Sequence, residues 1–353
     1  MCASTVRPVW LGVVLLFVLP FSPPPAAAQG RNLDIYWVDT EGGAATLVVS
    51  PSGESLLVDA GWEVGDRDAK RIASAAGQAG LKRIDYFVAT HYHADHMGGL
   101  RALAALMPIG HCFDHGDQIE PENQRWLDAY LSVCRGKRTI VHPGDRLPIK
   151  GVQAEIVASD GQLPAAPLSG GGPNALCADA ERKPQDTPEN QRSVGALFTM
   201  GRFRFLDLGD LNWAKEMELS CPANKVGQVT IYQTSRHGAF DGAGAPAHLY
   251  AIRPQVVVVN NGPRKGLGGM TPGLPKVMSA HYERIAKTPG IEGIWQQHLS
   301  LLDRDHNTRV DMIANQEETA ECKGNWLKAS VAGDGTFTLT NGRNGYTKAY
   351  KAR

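Results

Sequence analysis

The chain has 353 residues, and 36 Lys plus Arg balance 36 Asp plus Glu, so its formal charge is zero. That balance excludes electrostatic capture of nucleic acid by the protein as a whole, although a local basic groove stays open. With 42% hydrophobic residues, the composition is that of a globular protein, enough for one large α/β domain or two small ones.

Taken in chain order, the first feature is a leader. Arg7 precedes an almost uninterrupted apolar run from Val9 to Phe21, then Pro23, Pro24 and Pro25, then Ala26, Ala27 and Ala28 before Gln29. A positive charge, a short apolar core and a small-residue site are the order of a secretory signal peptide cut near Ala28. The run is short for a membrane anchor, and no later segment is long and apolar enough to span. Residues 1–28 are therefore expected to be removed, leaving a secreted or periplasmic protein with no membrane span.

From Leu33 onward, short β-branched runs alternate with turns and helices. Leu33–Val38, Ala45–Val49 and Ser55–Asp59 read as strands, Asp66–Gln78 as a helix, Ile84–Thr90 as a buried strand and Gly99–Leu106 as a helix. Further strands are expected over Val152–Ala158, Val194–Met200, Phe203–Leu208, Val229–Thr234 and Gln255–Asn260. Between them, the Gly-, Pro- and Ala-rich stretch Gly161–Glu189 reads as a long surface loop. Two β-rich halves with a few helices suggest two sheets packed face to face with helices outside; periodicity alone supports α/β or α+β. Asn325–Tyr350 reads as a hairpin turning at Asp334-Gly335. The expected organisation is a main domain over 29–320 and a C-terminal hairpin extension over 321–353. Past the leader lie Cys112, Cys134, Cys177, Cys221 and Cys322, without the tight spacing of a zinc knot. A pair such as Cys177 with Cys221 suits an oxidising compartment and leaves one thiol over.

The chemistry is concentrated in Thr90-His91-Tyr92-His93-Ala94-Asp95-His96-Met97-Gly98-Gly99. His91, His93, Asp95 and His96 offer four ligands within six residues, between a buried strand and a helix. Imidazole and carboxylate suit a borderline cation such as zinc. His91 and His93 are placed to converge on one ion, with Asp95 and His96 facing a neighbouring one, as two-metal hydrolysis needs. A loop of surface histidines is the bland alternative, and it requires this clustering to be accidental.

That segment resembles the signature of the metallo-β-lactamase superfamily, and other motifs follow in that family's order. Asp59-Ala60-Gly61 resembles its early Asp-x-Gly, Leu208-Gly209-Asp210 its metal-bridging aspartate, and Arg236-His237-Gly238 the site of its last histidine ligand. Within the superfamily, the chain looks like the secreted relatives of the hydrolase domain of bacterial DNA-uptake (competence) channel proteins. Val38-Asp39 to Thr46, Asn190-Gln191-Arg192-Ser193 and Arg236-His237-Gly238 carry that likeness. The resemblance implies an αββα sandwich holding one or two zinc ions, or another divalent metal, on His91, His93, Asp95, His96, Asp210 and His237. Asp95 and Asp210 would serve catalysis through a metal-activated hydroxide, and Arg236, Asn190 and Ser193 would contact substrate.

Two departures stand out. Many superfamily members carry a further histidine about twenty residues before the bridging aspartate, where this chain has Thr187, Pro188, Glu189 and Asn190. Arg236 stands where the DNA-uptake relatives have the first histidine of a doublet. If His237 is the ligand, Arg236 is a fixed cation suited to an anionic substrate. His115 is a candidate for the pocket mouth. Asn260-Asn261-Gly262-Pro263-Arg264-Lys265-Gly266 is a candidate phosphate loop, with a plain solvated loop as the alternative. A phosphodiester is the favoured substrate, a β-lactam or lactone the runner-up, and a non-catalytic secreted binder the different class.

Overall fold

Why the strands form is visible in their alternation. In β1 (Leu33–Trp37), Leu33, Ile35 and Trp37 enter one apolar cluster while Tyr36 enters another. β2 (Thr46–Val49) and β3 (Ser55–Val58) do the same, sending Val48, Leu56 and Val58 to one face and Leu47, Val49 and Leu57 to the other. Strands buried on both faces read as continuous hydrophobic runs, which is why they stand out in the sequence. This computed structural model describes residues 1–5, 31–186, 188–318 and 322–353. Most of the expected leader, residues 6–28, lies outside the described residues. Arg31–Arg353 forms one compact unit.

The remaining strands are β4 (Ile84–Val88), β5 (Ile109–Asp114), β6 (Arg138–Ile140), β7 (Arg146–Leu147), β8 (Gln153–Ala158), β9 (Gly172–Pro173), β10 (Gly195–Met200), β11 (Phe203–Asp207), β12 (Ala223–Asn224), β13 (Ile231–Gln233), β14 (Val256–Val259), β15 (Gly293–His298), β16 (Ile313–Asn315), β17 (Leu327–Val331), β18 (Thr336–Asn341) and β19 (Thr347–Lys351). They build a nine-stranded sheet, β19-β18-β17-β1-β2-β3-β4-β5-β6, and an eight-stranded sheet, β16-β15-β14-β13-β11-β10-β8-β7. Ile35, Trp37, Val58 and Val88 of the first meet Phe198, Phe205, Val258 and Trp295 of the second in one core. Trp37 and Phe205 touch edge to face, with ring centroids 5.5 Å apart.

Helices cover the outer faces. α1 (Arg67–Gln78) turns Ala69, Ile72, Ala75 and Ala76 inward at helical spacing. It packs on the first sheet with α3 (Leu100–Leu106) and α4 (Gln124–Cys134), which follow the one-turn α2 (Ala94–Met97). α5 (Trp213–Ser220), α6 (Pro246–Ile252) and α7 (His281–Ala286) bring Leu219, Leu249, Ile252 and Ile285 onto the second sheet. The result is the αββα sandwich, in the α/β class that the sequence suggests.

The C-terminal segment differs from expectation. The Asp334-Gly335 turn joins β17 to β18, but β19 adds a third strand, so the element is a meander rather than a hairpin. β17 pairs with β1, and Tyr350 accepts from Trp295 Nε1 at 3.0 Å, placing these strands within the first sheet and its core. The stretch Gly161–Glu189 is mostly loop, clipped by the β9–β12 pair and by a Cys177–Cys221 disulfide. A second disulfide joins Cys112 of β5 to Cys134 of α4, and Cys322 is in no disulfide among the described residues. Among the described residues no helix is long and apolar enough to cross a membrane.

Candidate metal centre

The functional side chains gather where strands end. Asp59 follows β3, the His91–His96 loop follows β4, Asp210 follows β11, His237 follows β13 and Asn260 follows β14. In α/β sheets the carboxyl ends of strands are where crevices form. The loop packs tightly there: a Cβ on Gly98 would lie 2.2 Å from Glu63 N, and one on Gly99 2.1 Å from Ala60 O. No side chain fits, so both glycines of the motif let the loop press on the segment after Asp59.

Asp95, His96, Asp210 and His237 are buried, and one ligand atom from each lies within 4.8 Å of the others. His96 Nε2 lies 3.4 Å from Asp95 Oδ2 and 3.3 Å from Asp210 Oδ1. His237 Nε2 lies 3.0 Å and 3.3 Å from the same two oxygens. Among the described residues neither His96 Nε2 nor Asp210 Oδ1 has a well-directed hydrogen bond. Buried polar atoms without partners are costly, and converging nitrogens and carboxylate oxygens fit a divalent cation. His91 and His93 lie alongside, His91 Nε2 3.0 Å from His93 Nδ1. The His91 ring is 4.1 Å from that of His96, centroid to centroid.

Asp59 acts from behind. Its Oδ1 accepts from Thr90 N at 2.9 Å, and its Oδ2 accepts from Thr90 Oγ1 at 2.7 Å and faces His96 Nδ1 at 2.6 Å. That contact aims His96 Nε2 at Asp95 and Asp210, the carboxylate–histidine arrangement typical of metal sites. Asn260 Nδ2 is 3.2 Å from His237 Nδ1 on the other side.

The charges are strongly coupled. Burial alone would raise Asp95, but Lys265 and His96 hold it well below the usual carboxylate range. Burial is likewise outweighed at Asp210 by His237 and His96. His96 is lifted well above its ordinary value, because Asp95, Asp210 and Asp59 overcome burial. His91 is pushed well below by burial, reinforced by His96 and His93. Burial raises Asp207, whose Oδ1 accepts from Gly209 N at 3.0 Å, to about 7.

The expected substrate contacts separate. Ser193 Oγ accepts from Asp210 N at 3.3 Å, so it supports the aspartate's backbone. Asn190 is buried, and its Oδ1 has no hydrogen-bond partner among the described residues. Arg236 pairs with Asp186 of the long loop, both side chains largely buried, so its charge is already compensated. Arg236 and His237 both have positive φ, 51° and 55°, a kink that turns the two side chains apart from an ordinary helical course. His115 is buried rather than at a mouth: its Nε2 meets Glu189 Oε1 at 3.0 Å and its ring lies on Tyr92.

Sequence reasoning missed several participants. Glu120 Oε2 lies 3.0 Å from His93 Nε2. Glu189, adjacent to Asn190, also accepts from Tyr92 N at 3.1 Å, bracing the histidine loop. Lys265, flagged only as part of a possible anion loop, pairs directly with Asp95, and its ammonium sits 4.5 Å above the Trp62 ring. Glu189's place in the histidine gap was a usable signal; Glu120, in the polar Gln118–Asn123 stretch, had none.

Residues 38–182 match the family model described as the metallo-beta-lactamase superfamily. No curated protein is significantly similar in sequence. Among solved structures, the metallo-beta-lactamase fold protein YhfI from Bacillus subtilis is 11% identical, covering 74% of this chain and 96% of that one, with a TM-score of 0.45. CmlA, a diiron beta-hydroxylase from Streptomyces venezuelae, is 14% identical over 67% of this chain and 45% of its own, at 0.40. A motif mutant of a metallo-beta-lactamase from Cronobacter sakazakii is 16% identical over 49% of this chain, at 0.31, and 59% of its length is covered.

Proposed function

From a chain that carries a metallo-β-lactamase superfamily domain over residues 38–182, we propose an exported, zinc-dependent hydrolase with a phosphodiester-type substrate. One observation carries the reading: buried ligand atoms of Asp95, His96, Asp210 and His237 converge within 4.8 Å, and among the described residues His96 Nε2 and Asp210 Oδ1 have no well-directed hydrogen bond. A scaffold without turnover would have no use for that arrangement, since gathering two carboxylates and two imidazoles in a buried site carries a desolvation cost that a bound cation offsets. His91, His93, Asp95, His96, Asp210 and His237 would hold one or two ions. A bound divalent ion supplies the nucleophile by bringing the pKa of water down to about 7. Asp59 and Asn260 keep the His96 and His237 rings oriented, and Asp95 and Asp210 supply the negative charge that favours a cation.

The phosphodiester preference rests on Lys265 and not on Arg236. Both are paired, Lys265 with Asp95 and Arg236 with Asp186, but Lys265 keeps 37% of its side-chain surface exposed and Arg236 only 13%. A half-exposed ammonium at the rim of the site is suited to an anionic group, and Asn190 and Ser193 lie on the loop just before β10. The likeness to DNA-uptake hydrolases, read from Asn190 to Ser193 and Arg236 to Gly238, points to the same substrate class. Export rests on the leader read over residues 1–28.

The test is metal analysis of the purified protein, followed by chromogenic phosphodiester, lactone and β-lactam substrates. Stoichiometric zinc and phosphodiester turnover are expected, and Lys265→Ala should slow the charged substrate by one to two decades, about 1.5–3 kcal/mol, while sparing a neutral lactone. Turnover confined to lactones or β-lactams would replace the substrate class, and protein without stoichiometric transition metal would overturn the enzyme reading.

A further inference from the structure

At the start of the 39–45 loop, three residues distant in sequence meet. Asp39 follows β1, His298 ends β15 and Cys322 precedes β17; one ligand atom from each lies within 4.8 Å of the others. His298 Nε2 is 2.8 Å from Asp39 Oδ1, and Cys322 Sγ is 3.9 Å from both Asp39 Oδ2 and Asn315 Oδ1. His298 is 1% exposed, yet among the described residues neither of its ring nitrogens has a well-directed hydrogen bond.

We propose that Asp39, His298 and Cys322 form a second metal site, distinct from the centre at Asp95, His96, Asp210 and His237, that takes one zinc-class divalent ion. Thiolate, imidazole and carboxylate together are the donor set of such an ion, and structural sites take a fourth ligand. A water can supply it, since a cavity of ≈ 460 Å³ borders Asn315 and Cys322; Asn315 Oδ1 itself already accepts from Asn325 N at 2.8 Å and Asn325 Nδ2 at 3.0 Å. Arg71 sits 3.1 Å from Asp39 Oδ2 and Glu41 N donates to Oδ1 at 3.0 Å, which leaves Oδ1 a second lone pair for the ion. Binding releases the thiol proton of Cys322, and any proton on His298, to solvent.

The ion would have a structural consequence for the first site. Asp39 opens the loop in which Ala44 N donates to Asp95 O at 3.0 Å. Fastening Asp39 to β15 and to the segment before β17 therefore braces the backbone behind Asp95. The competing occupant is a proton: burial lowers His298, but Asp39 outweighs it and raises the imidazole to about 9.

The experiment titrates metal-stripped full chain, carrying Cys2→Ser and its disulfides intact, with Co²⁺. A near-ultraviolet thiolate-to-cobalt band should grow to one equivalent, persist in Asp210→Ala and vanish in Cys322→Ser, and His298→Gln should weaken its titration at least tenfold. Zn²⁺ should also slow alkylation of Cys322 at least tenfold in the parent, a readout that needs no site variant to fold. No thiolate band in the parent, a band that survives Cys322→Ser, or alkylation unaffected by Zn²⁺ would overturn the proposal and leave an imidazolium–carboxylate pair. Because the band reports a thiol that the first centre lacks, its absence says nothing against the hydrolase reading.

Discussion

Replacing Asp59 by Asn keeps the volume of a wholly buried side chain and removes only its charge and one acceptor. In the native protein Oδ2 faces two groups, Thr90 Oγ1 at 2.7 Å and His96 Nδ1 at 2.6 Å, while Oδ1 accepts from Thr90 N. The Thr90 N–H obliges the asparagine to place its carbonyl at Oδ1, so its amide donors point at His96 Nδ1. The imidazole must then accept at Nδ1 and carry its proton on Nε2, the nitrogen that faces Asp95 and Asp210. Binding metal at Nε2 then requires a tautomer shift that leaves the Nδ1 proton facing the asparagine's amide donors. Losing such an outer partner typically costs 10–100-fold in metal affinity, about 1.4–2.8 kcal/mol. Competition against a chromophoric chelator at neutral pH measures this directly, with far-ultraviolet circular dichroism as the check on folding. A folded Asp59→Asn protein that binds metal as tightly as the parent would refute the orienting role.

Three further outcomes are expected. Glu216 is raised to about 7 by burial, against hydrogen bonds from Ala245 N, Tyr232 OH and Gly244 N. The folded state keeps a proton that the unfolded chain loses above about pH 4.5, so stability contributed below that pH is lost as pH rises through about 7. Glu216→Gln should therefore match the parent at acid pH and exceed it by on the order of 3 kcal/mol near pH 8 in urea titrations; a gap independent of pH would contradict this. Removing the Cys177–Cys221 disulfide, which closes a 44-residue separation, should cost about 4 kcal/mol on the loop-entropy estimate, read as a lower denaturant midpoint. Arg236→Ala strands the buried Asp186 carboxylate and should cost roughly 3–5 kcal/mol of stability, with similar losses of turnover on charged and neutral substrates. A loss confined to charged substrates would return Arg236 to the substrate.

The strands and the ligand loop were legible in the sequence because their determinants are local. Runs such as Val256–Val259 are apolar on both faces, and the four ligands of His91–His96 occur within six residues, so no tertiary knowledge is needed to see them. Asp59, Asp210 and His237 could be picked out only through the order of family motifs. α4 went unassigned although Trp126, Leu127, Tyr130 and Cys134 recur at helical spacing, because polar Asn123, Gln124 and Arg125 mask its start. The third C-terminal strand was missed for a similar reason: Thr347–Lys351 buries only Tyr350 and sits at the sheet edge.

Partnership was decided by the tertiary structure alone. Arg236 beside His237 reads as a free cation until Asp186, fifty residues earlier in the chain, is folded against it. Lys265 reads as a solvated loop residue until β14 carries it to Asp95, and Glu120 has no visible tie to His93 before β4 and α4 pack. Side-chain type and spacing determine which groups can bind a cation. Whether a charge is compensated depends on contacts within a few ångströms, and those are set by which strand ends the two sheets bring together.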